Sequence, residues 1–316
     1  MPRGQVDPKV VPRYAGLATY GRLPRLEDVG GAQIAVLGIP FDTSVTYRPG
    51  ARFGPAHVRE SSRLIRPYNA ELDIFPFART QVVDAGDVAC TPFSIEDAIA
   101  AIEYRADELT SAGTRPAVIG GDHTVALPML RALHRRHGPI AVVHFDAHLD
   151  TWDSYFGAAY THGTPFRRAS EEGLIDREAS LHVGIRGPLY AGSDLVDDTA
   201  LGFARITCPQ IEIDGMSAAL ERMHARLAQR PIYVSVDIDV LDPAHAPGTG
   251  TPEIGGLTSR ELLTFLRQLA SYQIVGVDVV EVAPAYDHAQ LTGIAAANII
   301  YELVCLMAGN VEGVGT

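Results

Sequence analysis

The sequence predicts a three-layer α/β/α domain built on a central, mainly parallel sheet. Three observations carry that expectation. Short runs rich in Val and Ile alternate with segments of helical periodicity along most of the chain. Those runs are continuously apolar, as strands buried on both faces are, and right-handed crossovers then place helices on either side of one sheet. No long Pro/Gly-rich linker interrupts the 316 residues, so 1–316 are expected to form a single domain, with 1–30 as an N-terminal extended segment suited to oligomer contact.

Taken in order, QIAVLG (33 to 38) reads as the first strand and segment 54 to 66 as a helix with Pro55 in its first turn, where an N–H has no helical partner to lose. Ser94 and Asp97 form a capping-type pair ahead of a helix whose Ile95, Ala98, Ile99, Ile102 and Leu109 share one stripe and which Gly113 closes. PAVIG is the next strand. A helix through Met129, Leu130 and Leu133 leads to the strand IAVVHF (140 to 145). After a long middle stretch, a helix carrying Leu220, Met223 and Leu227 precedes the strand IYVSV (232 to 236). Thr258 and Glu261 make a capping box for ELLTFLRQLA, IVGVDVV (274 to 280) is the last strand, and 291 to 308 reads as a closing helix.

Composition excludes several kinds of function. With 47% hydrophobic and 20% charged residues the chain can fill a core, and no apolar run approaches the ~20 residues of a membrane span. Net charge is −12, from 26 basic and 38 acidic residues, without the clustered cations that neutralise phosphates, so neither nucleic acid nor membrane is expected as a partner. Lys9 is the sole lysine, which removes the P-loop and makes Schiff-base chemistry improbable. Cys90, Cys208 and Cys305, about a hundred residues apart, give no CxxC, no even-numbered disulfide framework and no zinc-ribbon spacing. The first residues lack the charged-then-apolar design of a signal peptide, and a soluble, cytoplasmic protein is expected.

Open parallel sheets form their sites at the carboxyl ends of strands. Here those positions hold acids and histidines: GGDHT with Asp122 and His123, DAHLD with Asp146, His148 and Asp150, and DIDVLD with Asp237, Asp239 and Asp242. Alternate residues of an extended segment share a face, so Asp146, His148 and Asp150 are expected to point into one cavity, as are Asp237 and Asp239. The plainer alternative is a scatter of solvated surface acids. Position argues against it, because each acid follows a strand expected to be buried, and carboxylates gathered there without a counter-charge would raise one another's pKa. Two dications would balance four Asp charges. A carboxylate-rich, thiolate-free donor set suits Mn²⁺ better than structural zinc.

The motifs GGDHT, HFDAHLDT, SVDIDVLDPAHAPGTGTPEIGG and VVEVAPAYD, together with SVTYRPGARFGPAHVR (44 to 59) and YTHGTPFRRA (160 to 169), resemble the ureohydrolase family of arginases and agmatinases over nearly the whole chain. The likeness is greatest to agmatinases and guanidinobutyrases. It implies an arginase-like fold and two Mn²⁺ per chain, one held by His123, Asp146, Asp150 and Asp237, the other by His148, Asp146, Asp237 and Asp239, with Asp146, Asp237 and a hydroxide as bridges. It further implies that Glu281 holds the substrate guanidinium, that His162 passes a proton to the departing amine, that Asp150 accepts one from the attacking hydroxide, and that the protein is a trimer or hexamer. A small-molecule guanidino substrate follows, with agmatine hydrolysed to putrescine and urea as the leading expectation.

Other readings stand beside these. A zinc deacetylase of the same fold would carry a thinner ligand set, a non-enzymatic relative would show erosion at His162 or Glu281, and nickel-dependent hydrolysis of guanidine is a further possibility for the same ligands. His144 reads as a hydrogen-bonded core histidine, Asp122 as a group orienting a neighbouring imidazole, His245 as a loop residue, and the paired glycines of GGDHT as a weak nucleotide signal. For the substrate tail, the loop TWDSYFGAAYT (151 to 161) lacks the Asn expected of arginases and is dominated by Trp152, Tyr155, Phe156 and Tyr160. Asp153 and these rings, Trp152 among them, are expected to receive an ammonium; Arg66 or Arg186 would serve a carboxylate tail instead.

Overall fold

The computed structural model describes residues 1–309. Eight strands, β1 (Ile34–Gly38), β2 (Val82–Asp87), β3 (Arg115–Ile119), β4 (Ala141–Phe145), β5 (Leu181–Ile185), β6 (Ala204–Thr207), β7 (Ile232–Asp237) and β8 (Ile274–Val280), form one sheet in the order β2-β1-β3-β8-β7-β4-β5-β6. Every pairing is parallel. The helices are α1 (Gly54–Ser61), α2 (Pro76–Arg79), α3 (Ile95–Ser111), α4 (Ala126–His137), α5 (Pro165–Glu171), α6 (Ser193–Ala200), α7 (Cys208–Leu227, broken at Gly215), α8 (Ser259–Arg267) and α9 (Leu291–Gly309).

Strand side chains alternate between two apolar layers. Ile34, Val36 and Val143 join α1, α7, α8 and α9 in one, whereas Ala35, Leu37 and Val142 join α3, α4 and α5 in the other. The expected capping groups are present: Ser94 accepts from the Asp97 N–H, and Thr258 and Glu261 cap each other reciprocally.

Three strands escape the pattern expected from sequence, and each has a physical reason. β2 and β6 are edge strands, half-exposed along part of their length, and β5 is interrupted by His182 and Gly184. Helix α9 is long and apolar enough to cross a membrane by length and composition, with a mean hydropathy of 1.7. It is nevertheless 78% buried within the protein, where it packs on α1, α8 and β8. The N-terminal segment is tied to the domain: Tyr20 is wholly buried, its hydroxyl donates to the Ala297 carbonyl of α9, and its N–H donates to Asp84.

The topology explains how residues scattered from 123 to 281 meet. β3, β8, β7 and β4 are consecutive neighbours at the centre of the sheet, and one register row runs Ile119–Val279–Val236–Phe145 across them. One residue further along, Asp237 and Asp146 emerge side by side at the carboxyl edge, and Glu281 and His123 follow shortly after on β8 and β3.

Candidate metal centre and substrate cavity

At that edge, His123 Nδ1 lies 3.2 Å from Asp146 Oδ2, 3.0 Å from Asp150 Oδ2 and 3.5 Å from Asp237 Oδ2. His148 Nδ1 lies 3.3 Å from Asp146 Oδ1 and 3.1 Å from Asp239 Oδ2. The six expected ligands therefore form two adjacent donor clusters that share Asp146. Donors about 3 Å apart are what ligands around one ion at ~2.1 Å in octahedral geometry require. His123 Nδ1 is buried without a hydrogen-bond partner, an imidazole lone pair pointed into a ring of carboxylates, and this donor set fits a hard or borderline divalent ion.

Electrostatics describe the same need. Burial, reinforced by Asp239 and Asp146, pushes Asp237 well above the usual carboxylate range, and burial beside Asp146 lifts Asp239 to about 6. Burial opposes charge on His123, yet contacts with Asp146, Asp150 and Asp237 carry it well above the ordinary histidine range. Positive charge is in demand at both clusters, which is the condition two dications satisfy.

The residues converge, but not by sharing the face of an extended strand. Asp150 is turned inward by a left-handed backbone (φ 53°), and Asp239 follows Asp237 into a short 3-10 turn whose N–H the Asp237 carboxylate caps at 2.8 Å. Glu281 is also left-handed (φ 63°). Non-glycine residues in this region carry about 1–2 kcal/mol of strain, less for Asp than for Glu, and such strain collects at functional sites.

His144 is the core histidine expected. Its Nε2 is occupied by Asp146 Oδ2 at 2.8 Å, so although it sits among the cluster it has no free lone pair there to give an ion. Asp122 touches no imidazole, contrary to expectation. It caps the turn that begins at His123 through the Thr124 N–H (3.0 Å) and accepts from Ser44 Oγ (2.5 Å). The paired glycines of GGDHT are a packing device: a Cβ on Gly121 would lie 1.7 Å from the Phe41 carbonyl oxygen. His245 shapes its loop through Asp242, as expected.

His123 is oriented from behind. Its Nε2 contacts Ser235 Oγ at 2.8 Å, Ser235 donates to Asp278 at 2.7 Å, and all three are buried. Partners of this kind fix ligand orientation and are worth about 10- to 100-fold in metal affinity. Asp278→Asn is accordingly expected to weaken divalent-metal binding within that range, as read by competition with a metal-sensitive dye; unchanged affinity would mean that the buried pair does not orient His123.

Glu281 Oε1 accepts from the His123 N–H at 2.9 Å and faces His162 Nδ1 at 3.0 Å, while Glu281 Oε2 is buried and unpartnered. Burial disfavours charge on His162, but Glu281 outweighs it and raises the ring to about 9. At the other ring nitrogen, Nε2 lies 3.1 Å from the Thr46 backbone nitrogen and 2.8 Å from Thr46 Oγ1, whose oxygen can accept from the protonated ring. A histidine raised in the folded state stabilises it fully below about pH 6.5 and loses that contribution as pH climbs through about 9. Melting temperatures of chelator-treated wild type and His162→Ala should therefore differ most near pH 6 and converge by pH 10. A gap that widens with pH would refute the assignment.

A cavity of about 290 Å³ opens above the clusters, lined by Asp150, Asp237, His148, His162, Trp152, Tyr155, Tyr190, Thr46, Thr251 and Glu253, among others. Among the described residues no Lys or Arg lines it. Several expectations for the tail are corrected here. Asp153 is largely exposed and paired with Arg168 at 2.8 Å, outside the cavity. Arg66 lines a separate recess against the N-terminal segment, and Arg186 is spent on carbonyl oxygens, including those of Asp239 and Glu253 at 2.6 and 2.7 Å. Phe156 points outward with 94% exposure, and Tyr160 packs on the α3/α4 layer. Trp152 does line the cavity.

Sequence reading missed Glu253 and Tyr190. Glu253 Oε1 lies 3.6 Å from His148 Nε2, and Tyr190 brings its hydroxyl within 3.1 Å of that of Tyr155. Together with Trp152 these two tyrosines make three mutually angled rings, with centroids 5.6–6.1 Å apart. The TPE triplet that carries Glu253 was a legible signal; Tyr190 had none.

The model of the Arginase family matches residues 32–306. A guanidinopropionase of Pseudomonas aeruginosa is 43% identical over 304 residues, covering 96% of this chain and 95% of its own. An agmatinase of Chromobacterium violaceum is 41% identical, covering 93% and 89%. Among solved structures, the proclavaminate amidino hydrolase of Streptomyces clavuligerus superposes with a TM-score of 0.90 at 43% identity, covering 94% of this chain and 99% of that one.

Proposed function

This chain belongs to the arginase family, and we propose that it is a binuclear manganese ureohydrolase that splits agmatine into putrescine and urea. One ion would be held by His123, Asp146, Asp150 and Asp237, the other by His148, Asp146, Asp237 and Asp239. Such a pair supplies a hydroxide nucleophile at neutral pH and orients it.

The chain's own groups account for the rest. The guanidinium donates to Glu281 Oε2, the buried oxygen without a partner, in a charge-assisted hydrogen bond, while Oε1 keeps the His123 N–H and His162. Asp150 takes a proton from the nucleophile as the guanidinium carbon becomes tetrahedral. The carbon–nitrogen bond to the alkyl chain then breaks, urea departs, and His162, hydrogen-bonded to the same Glu281, delivers a proton to the leaving amine.

The observation that carries agmatine as substrate is the charge of the cavity. Its outer wall offers Glu253 and three aromatic rings, which suit an ammonium tail, and no arginine or lysine among the described residues to receive a carboxylate. One observation favours a guanidino acid instead: Trp152 Nε1 is buried without an acceptor, and a carboxylate tail would supply one. Urea release from agmatine, 3-guanidinopropionate, 4-guanidinobutyrate, arginine and guanidine decides between them. Agmatine is expected to show the highest kcat/KM. Tyr190→Ala should raise its KM about two- to fivefold with kcat unchanged, the scale of one lost cation–π contact; a higher kcat/KM on either guanidino acid overturns the agmatine reading.

A further inference from the structure

A row of polar side chains crosses the sheet one layer beneath the ligands. The register pairs Asp278 with Ser235, Ser235 with His144, His144 with His182, and His182 with Arg205, on β8, β7, β4, β5 and β6 in turn. All but Arg205 are wholly buried. The half beneath β8 and β7 orients His123, as described above. The other half leads away from Asp146 toward the sheet edge.

His144 Nε2 meets Asp146 Oδ2 at 2.8 Å, His144 Nδ1 meets His182 Nδ1 at 2.6 Å, and His182 Nε2 meets Asp198 Oδ1 at 2.9 Å. All four ring nitrogens are committed, so neither imidazole is free to turn. Asp198, on α6, is wholly buried, and it does two further things. Its Oδ2 is bonded by Arg205, which anchors it to β6, and its Oδ1 accepts from Thr151 Oγ1 at 3.0 Å. Thr151 is the residue after the left-handed Asp150; main-chain ties hold the turn, with the Asp150 carbonyl accepting from the Phe166 N–H (3.2 Å), the Thr151 carbonyl from Arg167 Nε (2.9 Å) and the Trp152 N–H donating to Gly163 (3.1 Å), and Asp198 supplies its side-chain tie from α6.

We propose that Asp198 is a positioning residue for the metal centre: through His182 and His144 it aims the Asp146 carboxylate, and through Thr151 it fixes the turn that presents Asp150. One buried carboxylate on a helix that lines no part of the cavity thus braces two ligands from different directions. A bond of this sort gains nothing for the reaction directly; it restricts two acids that repel each other to the one arrangement in which both can serve as ligands. The proposal rests on the metal reading above, and its test separates the two.

Stepwise Mn²⁺ binding to the full chain is compared for wild type, Asp198→Asn, His182→Phe and Val183→Ala. Asparagine keeps the volume but accepts fewer bonds, and phenylalanine keeps the stacking of position 182 on Phe203 (centroids 4.2 Å apart) while cutting the chain of nitrogens. Val183 is buried in the opposite layer of the same strand, so its truncation loosens β5 without touching the row. Asp198→Asn and His182→Phe should bind Mn²⁺ about 10- to 100-fold more weakly and show an altered exchange-coupled dimanganese EPR signal at saturating metal, whereas Val183→Ala lowers the metal-free Tm and leaves affinity and signal at wild-type values. The proposal is overturned if Asp198→Asn binds within twofold of wild type with the same signal, or if Val183→Ala weakens binding equally. Wild-type protein that takes up no divalent ion would instead overturn the metal reading on which this one stands.

Discussion

Asp237→Ala is expected to abolish turnover and to reduce bound Mn²⁺ below two per chain. Asp237 faces His123 at one cluster, and burial with Asp239 and Asp146 makes it the carboxylate whose charge is least tolerable without a counter-ion. Its removal deprives both proposed ions of a ligand. A metal centre is worth several kcal/mol to the transition state, so the loss in kcat should exceed about 10³-fold. The metal-free variant should melt somewhat below metal-free wild type, since the Asp239 N–H loses its cap at Asp237. Metal analysis, turnover and melting curves on one preparation check all three. A fully active protein with one tightly held ion would sink the binuclear reading.

Glu281→Gln should leave metal content at the wild-type level and cut kcat/KM on agmatine by a large factor. Glutamine can still accept from the His123 N–H, so the local backbone keeps its tie, but the neutral amide cannot balance a guanidinium. Losing one member of a buried, hydrogen-bonded charge pair costs about 2–5 kcal/mol, or roughly 30- to 4,000-fold. Equal Mn²⁺ content with kcat/KM inside that range is the expected result. A fall of less than threefold would place the guanidinium elsewhere.

The centre of this fold was legible because its strands are apolar on both faces and end in acids. β1, β3, β4, β7 and β8 read directly from Val/Ile runs, and the candidate ligands stand at the ends of β3, β4 and β7. The edge strands β2 and β6 do not read because partial exposure leaves no continuous apolar signature, and β5, though buried throughout, does not read because His182 and Gly184 break its apolar run. Consequently His182 and Asp198, supplied from that unread middle stretch, were invisible as well. Strand ends point to the candidate acids and histidines and the family resemblance to six among them, but the geometry expected from sequence differs: alternation along an extended strand does not aim Asp150 or Asp239, whereas a left-handed residue and a 3-10 turn do. The tail residues fared worst. Asp153, Arg66 and Arg186 were chosen by chemical type, and each is engaged or placed elsewhere, since what a loop side chain faces is decided by packing that no local pattern encodes.

Asp150 and Glu281, left-handed and crowded by other acids, give the sequence a history that can be read backwards. Each position would be easier to fold as glycine or asparagine, and a chain selected for folding alone would drift to those residues within a few substitutions. Two departures from the easiest sequence, 131 residues apart in the chain yet meeting the same residue, His123, at 3.0 and 2.9 Å, record a demand that folding did not make. Left-handed backbone alone does not mark the site, since Arg22, Phe156, Ala228 and others share it; among the described residues only Asp150 and Glu281 combine it with a buried carboxylate.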